Sequence, residues 1–183
     1  MPEQKKDTKS KKRTVKKWDN ETPTKEYFNE LKRVSKNQII WGFQYFMEEM
    51  SNSNSIIIWD KMNGKNFMND CELAWTNYGK AVRRKEHLWN GMIRKDHEAR
   101  FHPTQKPIAL VEWVFEYYKD VVTVLDLFGG SGSTLMAAEK RNKQSFLMEL
   151  SPAYCDVIIK RWQDFTGQQA VHAETEETFN APR

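Results

Sequence analysis

"LDLFGGSGSTLMAAEKRNKQSFLMEL", Leu125 to Leu150, decides how this chain is read. An apolar run meets three glycines, Gly129, Gly130 and Gly132. A helical stretch follows, then a second apolar run that ends at an acid, Glu149. Strand, tight turn, helix and strand in that order make a βαβ unit with its glycines at the first strand-to-helix turn. Glycines there let backbone approach a ligand, and the free N–H groups of the helix start point at it. The loop is not GxGxxG, and no lysine follows its last glycine, so the diphosphate fingerprints do not apply. A nucleoside without phosphates fits better, with Glu149 placed to accept its ribose hydroxyls. A purely structural tight turn is the alternative.

The neighbouring segments extend the pattern. "VVTVLD" (121–126) is the strand before the loop, Ser133–Arg141 the helix after it, and "QSFLMEL" (144–150) the next strand. Ser151 caps a helix that reaches about Phe165. Upstream, "IALVEWVFEYYK" (108–119) has helical spacing, and two prolines bracket "FHPTQKP" (101–107) as a loop. "NQIIWG" (37–42), "SIIIWDK" (55–61) and "CELAWTNY" (71–78) are short buried strands, the last continuing as a hairpin through a basic stretch to Trp89. "FQYFMEEM" (43–50) reads as a helix. Another begins at Thr22-Pro23-Thr24, with Tyr27, Phe28, Leu31 and Val34 on one face. Strands apolar throughout, alternating with helices, predict an α/β fold with a mostly parallel sheet covered on both faces.

The 183 residues suit one domain, and a 39% hydrophobic content suffices for a packed core. No apolar run approaches the roughly 18 residues that span a bilayer. The lysine-rich start has no apolar segment of a secretory signal. The two cysteines, Cys71 and Cys155, are far apart, with neither disulfide nor metal-like spacing, so a reducing cytoplasm is expected. Residues 1–17 hold eight basic side chains against Glu3 and Asp7, about +6, while the whole chain carries only +4. They read as a basic disordered arm, 18–166 as the α/β domain and 167–183 as a polar tail. A second basic cluster comprises Lys80, Arg83, Arg84, Lys85, Arg94, Lys95, Arg100 and Lys106. Two basic patches on a near-neutral body suit a polyanion partner. Trp41, Trp59, Trp75 and Trp89 are read as core rather than base-stacking residues. His87 and His97 are read as solvated, and His102 as orienting its loop.

Three motifs carry a resemblance: "HPTQKP" (102–107), "VLDLFGGSGSTLMAA" (124–138) and "MELSPAYCDVI" (148–158). In this order the chain resembles the class β DNA amino-methyltransferases, which methylate adenine N6 or cytosine N4. Phe128, Gly130 and Gly132 match the family's FxGxG. "WDNETPTKEYFNELKRVSKNQIIWG", "IIIWDK", "DCELAWT" and "HLWNGM" look like the body of phage and prophage methylases, so the likeness runs from Trp18 to Phe165. It implies a Rossmann-like methyltransferase sheet with helices on both faces, S-adenosylmethionine as cofactor and double-stranded DNA as partner.

Carried over residue by residue, the resemblance implies Asp126 near the cofactor's amino group and Phe128 beside its adenine or methionine part. Gly130, Ser131 and Gly132 would bring backbone close, and Glu149 would take the ribose hydroxyls. Thr104, Gln105 and Lys106 would line the other side, near the carboxylate. A sulfonium cation with a zwitterionic tail calls for such acids, lysine and backbone dipoles. Residues 80–101 occupy the place of the family's target-recognition segment, with Arg83, Arg84, Lys85, Arg94 and Lys95 as candidate DNA contacts.

Two departures stand out. The family's second motif, (D/N/S)PP(Y/F/W), accepts hydrogen bonds from the target amine and stacks on the flipped base. It occurs nowhere in the sequence, and "SPAY" (151–154) reads as a helix start with Pro at its first position. The strand ending in that motif, and one before it, are not recognisable. Also, "WGFQYF" places Phe43 where relatives tend to have glycine. The expectation is therefore a DNA amino-methyltransferase or a derivative of one. Its rivals are a truncated product and a non-catalytic DNA- or cofactor-binding module, such as the partner of a second chain that completes sheet or active site.

Overall fold

Thr24 Oγ1 accepts the Tyr27 N–H at 3.5 Å and opens α1 (Lys25–Val34), which buries Phe28. The computed structural model describes residues 22–64, 69–79, 81–89, 95 and 98–180. The arm 1–17, Lys80, Arg94 and His97 lie outside the described residues.

β1 (Ile39–Trp41), β2 (Ile56–Asp60), β3 (Cys71–Thr76) and β4 (Arg83–Glu86) form a sheet in the order β1-β3-β2-β4. β3 runs antiparallel to β1 and β2, with Ile40 opposite Trp75 and Ile58 opposite Leu73. β4 lies parallel to β2, with Ile58 opposite Arg84. This corrects two expectations. The sheet is mixed rather than mostly parallel, because β3 turns back between its neighbours. No hairpin joins β3 to the basic stretch, because β1 and β2 already occupy both edges of β3; the chain instead crosses to the far side of β2. Residues 43–50 also differ from the expected helix. They form two 3-10 turns, Phe43–Tyr45 and Met47–Glu49, because Phe46 between them has φ −148° and ψ 43°, outside helical backbone space.

β5 (Thr123–Asp126) and β6 (Gln144–Leu147) form a separate parallel pair, connected through α3 (Ser133–Lys140). α2 (Ile108–Tyr117) ties the two sheets together. Val114, with Tyr118 just beyond the helix, packs on Ile57 and Ala74; Leu110 meets Trp59 and Trp89; Phe115 meets Ala137 and Ala138 against Val124. Full burial of a side chain such as Leu110 contributes about 1.5–3 kcal/mol, so this helix is the main cohesive element. Trp59, Trp75 and Trp89 are core, as expected. His87, expected at a solvated surface, is 3% exposed, because β4 carries its N–H to Asp60 O at 2.9 Å beside the buried Trp59.

Among the described residues, one face of the β5–β6 pair is uncovered. Val124 faces α2 and α3, so strand alternation turns Leu125 to the opposite face, level with Phe146. Leu125, Phe146 and Met148 are 42%, 53% and 60% exposed. α4 (Pro152–Thr166) ends at Gly167, and the polar tail beyond folds back through a Val171–Thr178 antiparallel bridge. No helix among the described residues is long and apolar enough to cross a membrane.

Candidate functional site

The glycine loop follows β5 and the proline-bracketed loop precedes α2; α2 and α3 pack together, so the two loops meet. Gly130 has φ +55°, and a Cβ built on it would lie 3.9 Å from the His102 ring. Ser133 Oγ donates to Lys106 O at 2.7 Å. The two loops therefore adjoin at the C-terminal end of β5. The Gly130 backbone forms a cradle that a side chain would fill.

The acids sit where the sequence puts them. Asp126 Oδ1 accepts the Phe128 N–H at 3.0 Å and turns the chain out of β5. Glu149 reaches across from the end of β6: Oε2 accepts the Gly130 N–H at 2.7 Å and Oε1 the Ser151 N–H at 2.8 Å. It thus braces the glycine loop and the start of α4 together. Each carboxylate oxygen keeps a further lone pair for a ligand hydroxyl. Ser151 is the N-cap of α4 by position, with Pro152 first in the helix.

Phe128 is 67% exposed and packs against Tyr27 of α1, ring centroids 5.8 Å apart. Burial, reinforced by the Asp126 charge, pushes the Tyr27 phenol up to about 12. Ser131 and Ser133 are buried, with their hydroxyls 3.5 Å apart.

The other loop is more occupied than the sequence suggests. Gln105 is 5% exposed, accepts the Phe101 N–H at 2.8 Å and donates to Glu98 at 2.7 Å and Ala99 O at 2.9 Å. Its amide braces the loop from within. Lys106 Nζ lies 3.5 Å from Glu72 and over the Trp41 ring. Burial alone would push the Glu72 carboxyl up; Lys106, and then Lys61 at 2.7 Å, outweigh it and hold it below the usual carboxylate range. Thr104 is exposed, with its N–H and hydroxyl on His102 Nδ1, while the His102 ring packs on Tyr154 at 4.4 Å.

Of the basic candidates, Arg83, Arg84 and Lys85 lie on the edge strand β4. Arg83 bonds the Tyr117 hydroxyl, and Lys85 lies over Trp113. Arg84 pairs with Asp60 at 2.9 Å and with Glu86. Lys95 is exposed, and its N–H reaches Leu88 O at 3.2 Å. A polar concavity lined by Asn52, Ser53, Asn54, Asn77 and Gly79 lies at the other end of β2 and holds none of the site residues.

The sequence reading missed Tyr27, Glu98 and Arg161. Helical spacing puts Tyr27 on one face of α1, but nothing local pairs it with Phe128. Arg161 Nη2 meets Glu98 at 3.0 Å across 63 residues, a separation that no motif window spans.

A parallel βαβ unit with glycines at its turn and an acid closing its second strand is the frame of a nucleoside-type, Rossmann-like site. A family model described as DNA methylase matches residues 2–161, and the chain belongs to that family, the N6/N4 DNA methyltransferases. That membership favours the methyltransferase reading over the non-catalytic module.

Among solved structures, the M1.HpyAVI–SAM complex superposes with a TM-score of 0.56 at 22% identity, over 76% of this chain and 83% of that one. M1.HpyAVI alone gives 0.52 at 22% identity, over 77% and 83%. At these identities the likeness establishes the fold. The DNA modification methylase TTHA0409 from Thermus thermophilus, complexed with S-adenosyl-L-methionine, reaches 0.46 at 18% identity over 76% and 77%, too loose to build on. No curated protein matches.

Proposed function

We propose that residues 18–166 form a methyltransferase body that binds S-adenosylmethionine between the two loops and serves methylation of an exocyclic amine of DNA, adenine N6 or cytosine N4. The observation that carries this reading is the meeting of the loops, with the Gly130 backbone 3.9 Å, by its virtual Cβ, from the His102 ring. Glu149 would take the ribose hydroxyls on its remaining lone pairs, Asp126 the amino group, and exposed Phe128 a flat or apolar part of the ligand. Lys106 and Thr104 stand on the carboxylate side. Bound there, the cofactor would supply an electrophilic methyl group; the residues of this chain position it and exclude water.

DNA contact falls to Arg83, Arg84, Lys85 and Lys95 on the β4 side, to Arg94, and to the basic arm, in keeping with a cytoplasmic, restriction–modification or phage setting. The bare Leu125–Phe146 face favours one further element: a second polypeptide segment that covers it and brings the hydrogen-bond acceptors for the amine.

Calorimetric titration with S-adenosylmethionine tests the cup, and saturable binding is expected. No binding at millimolar ligand would overturn it. Transfer of labelled methyl groups to unmethylated DNA by this chain alone would remove the need for a second segment.

A further inference from the structure

Arg161 of α4 and Glu98 form a nearly buried ion pair, their side chains 10% and 12% exposed, with Arg161 Nη2 3.0 Å from Glu98 Oε1. Both groups have further partners, and those partners lie on different loops. Arg161 Nη1 donates to Ser131 O in the glycine loop. Glu98 Oε1 also accepts from Gln105 Nε2 at 2.7 Å, and Oε2 accepts the Ile108 N–H, the first of α2, at 3.1 Å. The Phe101 ring packs 4.8 Å from the guanidinium carbon.

We infer that Glu98 and Arg161 are positioning residues that lock the His102–Pro107 loop onto the glycine loop and thereby set cofactor affinity. The inference rests on the S-adenosylmethionine reading of the cup. A buried ion pair contributes little net stability over an apolar replacement, so its geometry is the more telling property. Only a planar guanidinium reaches Ser131 O and Glu98 at once; a lysine in its place keeps the charge but delivers one point donor. Glu98, for its part, uses both oxygens to hold Gln105 and the start of α2, where a negative charge also suits the helix dipole. Neither residue needs to touch the cofactor. Each fixes a wall of its cup.

The test compares wild type with Arg161→Lys, Arg161→Met and Glu98→Gln, by S-adenosylmethionine calorimetry, thermal unfolding and amide hydrogen exchange. Arg161→Lys should weaken binding by roughly tenfold or more, the scale of a displaced supporting group, while its melting temperature stays close to wild type. A merely structural pair would behave otherwise: the lysine variant would rescue affinity and melting temperature together, and that result overturns the inference. Failure of wild type to bind would instead sink the cofactor reading, and hydrogen exchange then decides the pair alone. Arg161→Met should speed exchange at Gly132 and at Gln105 and Ile108 together, on both loops, leaving Ile57 and Ala74 protected. Faster exchange on one loop only, or none, overturns the lock.

Discussion

Replacing Gly132 and Gly130 by alanine, one at a time, separates the fold's demand on the glycine loop from the ligand's. Gly132 has φ +79°, and a Cβ there would lie 3.2 Å from Ile158 Cγ2 and 3.3 Å from Cγ1. Ile158 is 7% exposed and sits in α4, so it has little room to withdraw. Gly130 has φ +55°, but its Cβ would meet only ordinary contacts, Phe128 O at 3.7 Å and His102 Cγ at 3.9 Å. Left-handed backbone costs an alanine about 1–2 kcal/mol at either site. Overpacking against Ile158 adds about 1–3 kcal/mol at Gly132 only. At about 2–4 °C per kcal/mol for a chain of this size, Gly130→Ala should lower the melting temperature by about 2–8 °C, and the overpacking at Gly132→Ala should lower it by about 2–12 °C beyond that, about 6 °C at the midpoints. The order reverses for ligand: the Gly130 methyl points between the loops, so that variant should lose the larger share of S-adenosylmethionine affinity. Circular dichroism melts and calorimetry on the same preparations give both numbers. A Gly132→Ala protein as stable as wild type, or less destabilised than Gly130→Ala, would refute the account of this turn.

Two further outcomes follow from the acids. Glu149→Ala removes the acceptor of the Gly130 and Ser151 amides, so urea denaturation should report a loss of about 1–3 kcal/mol even without ligand; an unchanged midpoint contradicts the brace. Glu72 has a folded-state pKa below its ordinary 4.5, so its stabilisation is fully present above that pH and is lost as pH falls through the folded value. The melting-temperature gap between wild type and Glu72→Gln should therefore stay constant from about pH 7 down to about pH 4.5 and narrow as the pH falls below it, and a gap that does not narrow there would rule out the Lys106–Glu72–Lys61 account.

The bare Leu125–Phe146 face and the absent acceptor motif bear on the same question. A two-stranded pair is marginal by itself, and among the described residues α2 and α3 stabilise it from one side. The side that carries Leu125, Phe146 and Met148 has the alternation of a core-facing surface without a core against it. A segment laid on that face would bury Leu125, Phe146 and Met148 and lie beside Asp126, where β5 ends.

The local elements were legible in the sequence because their causes are local. The glycine turn, the helix starts at Thr22–Thr24 and Ser151, and the helical spacing of 108–119 each follow from backbone freedom, capping or periodicity within a few residues. The βαβ unit and its acid were readable for the same reason, and so was the meeting of two motifs once they were taken together. Strand partners were not, because any apolar run of four to six residues pairs equally well with several others, and only the packed α2 selects the order β1-β3-β2-β4. Burial of His87, capture of Lys106 by Glu72 and the Glu98–Arg161 lock were decided by tertiary structure alone. Each depends on groups brought within hydrogen-bond reach from distant parts of the chain, and the Coulombic and desolvation energies that settle them exist only once water has been displaced.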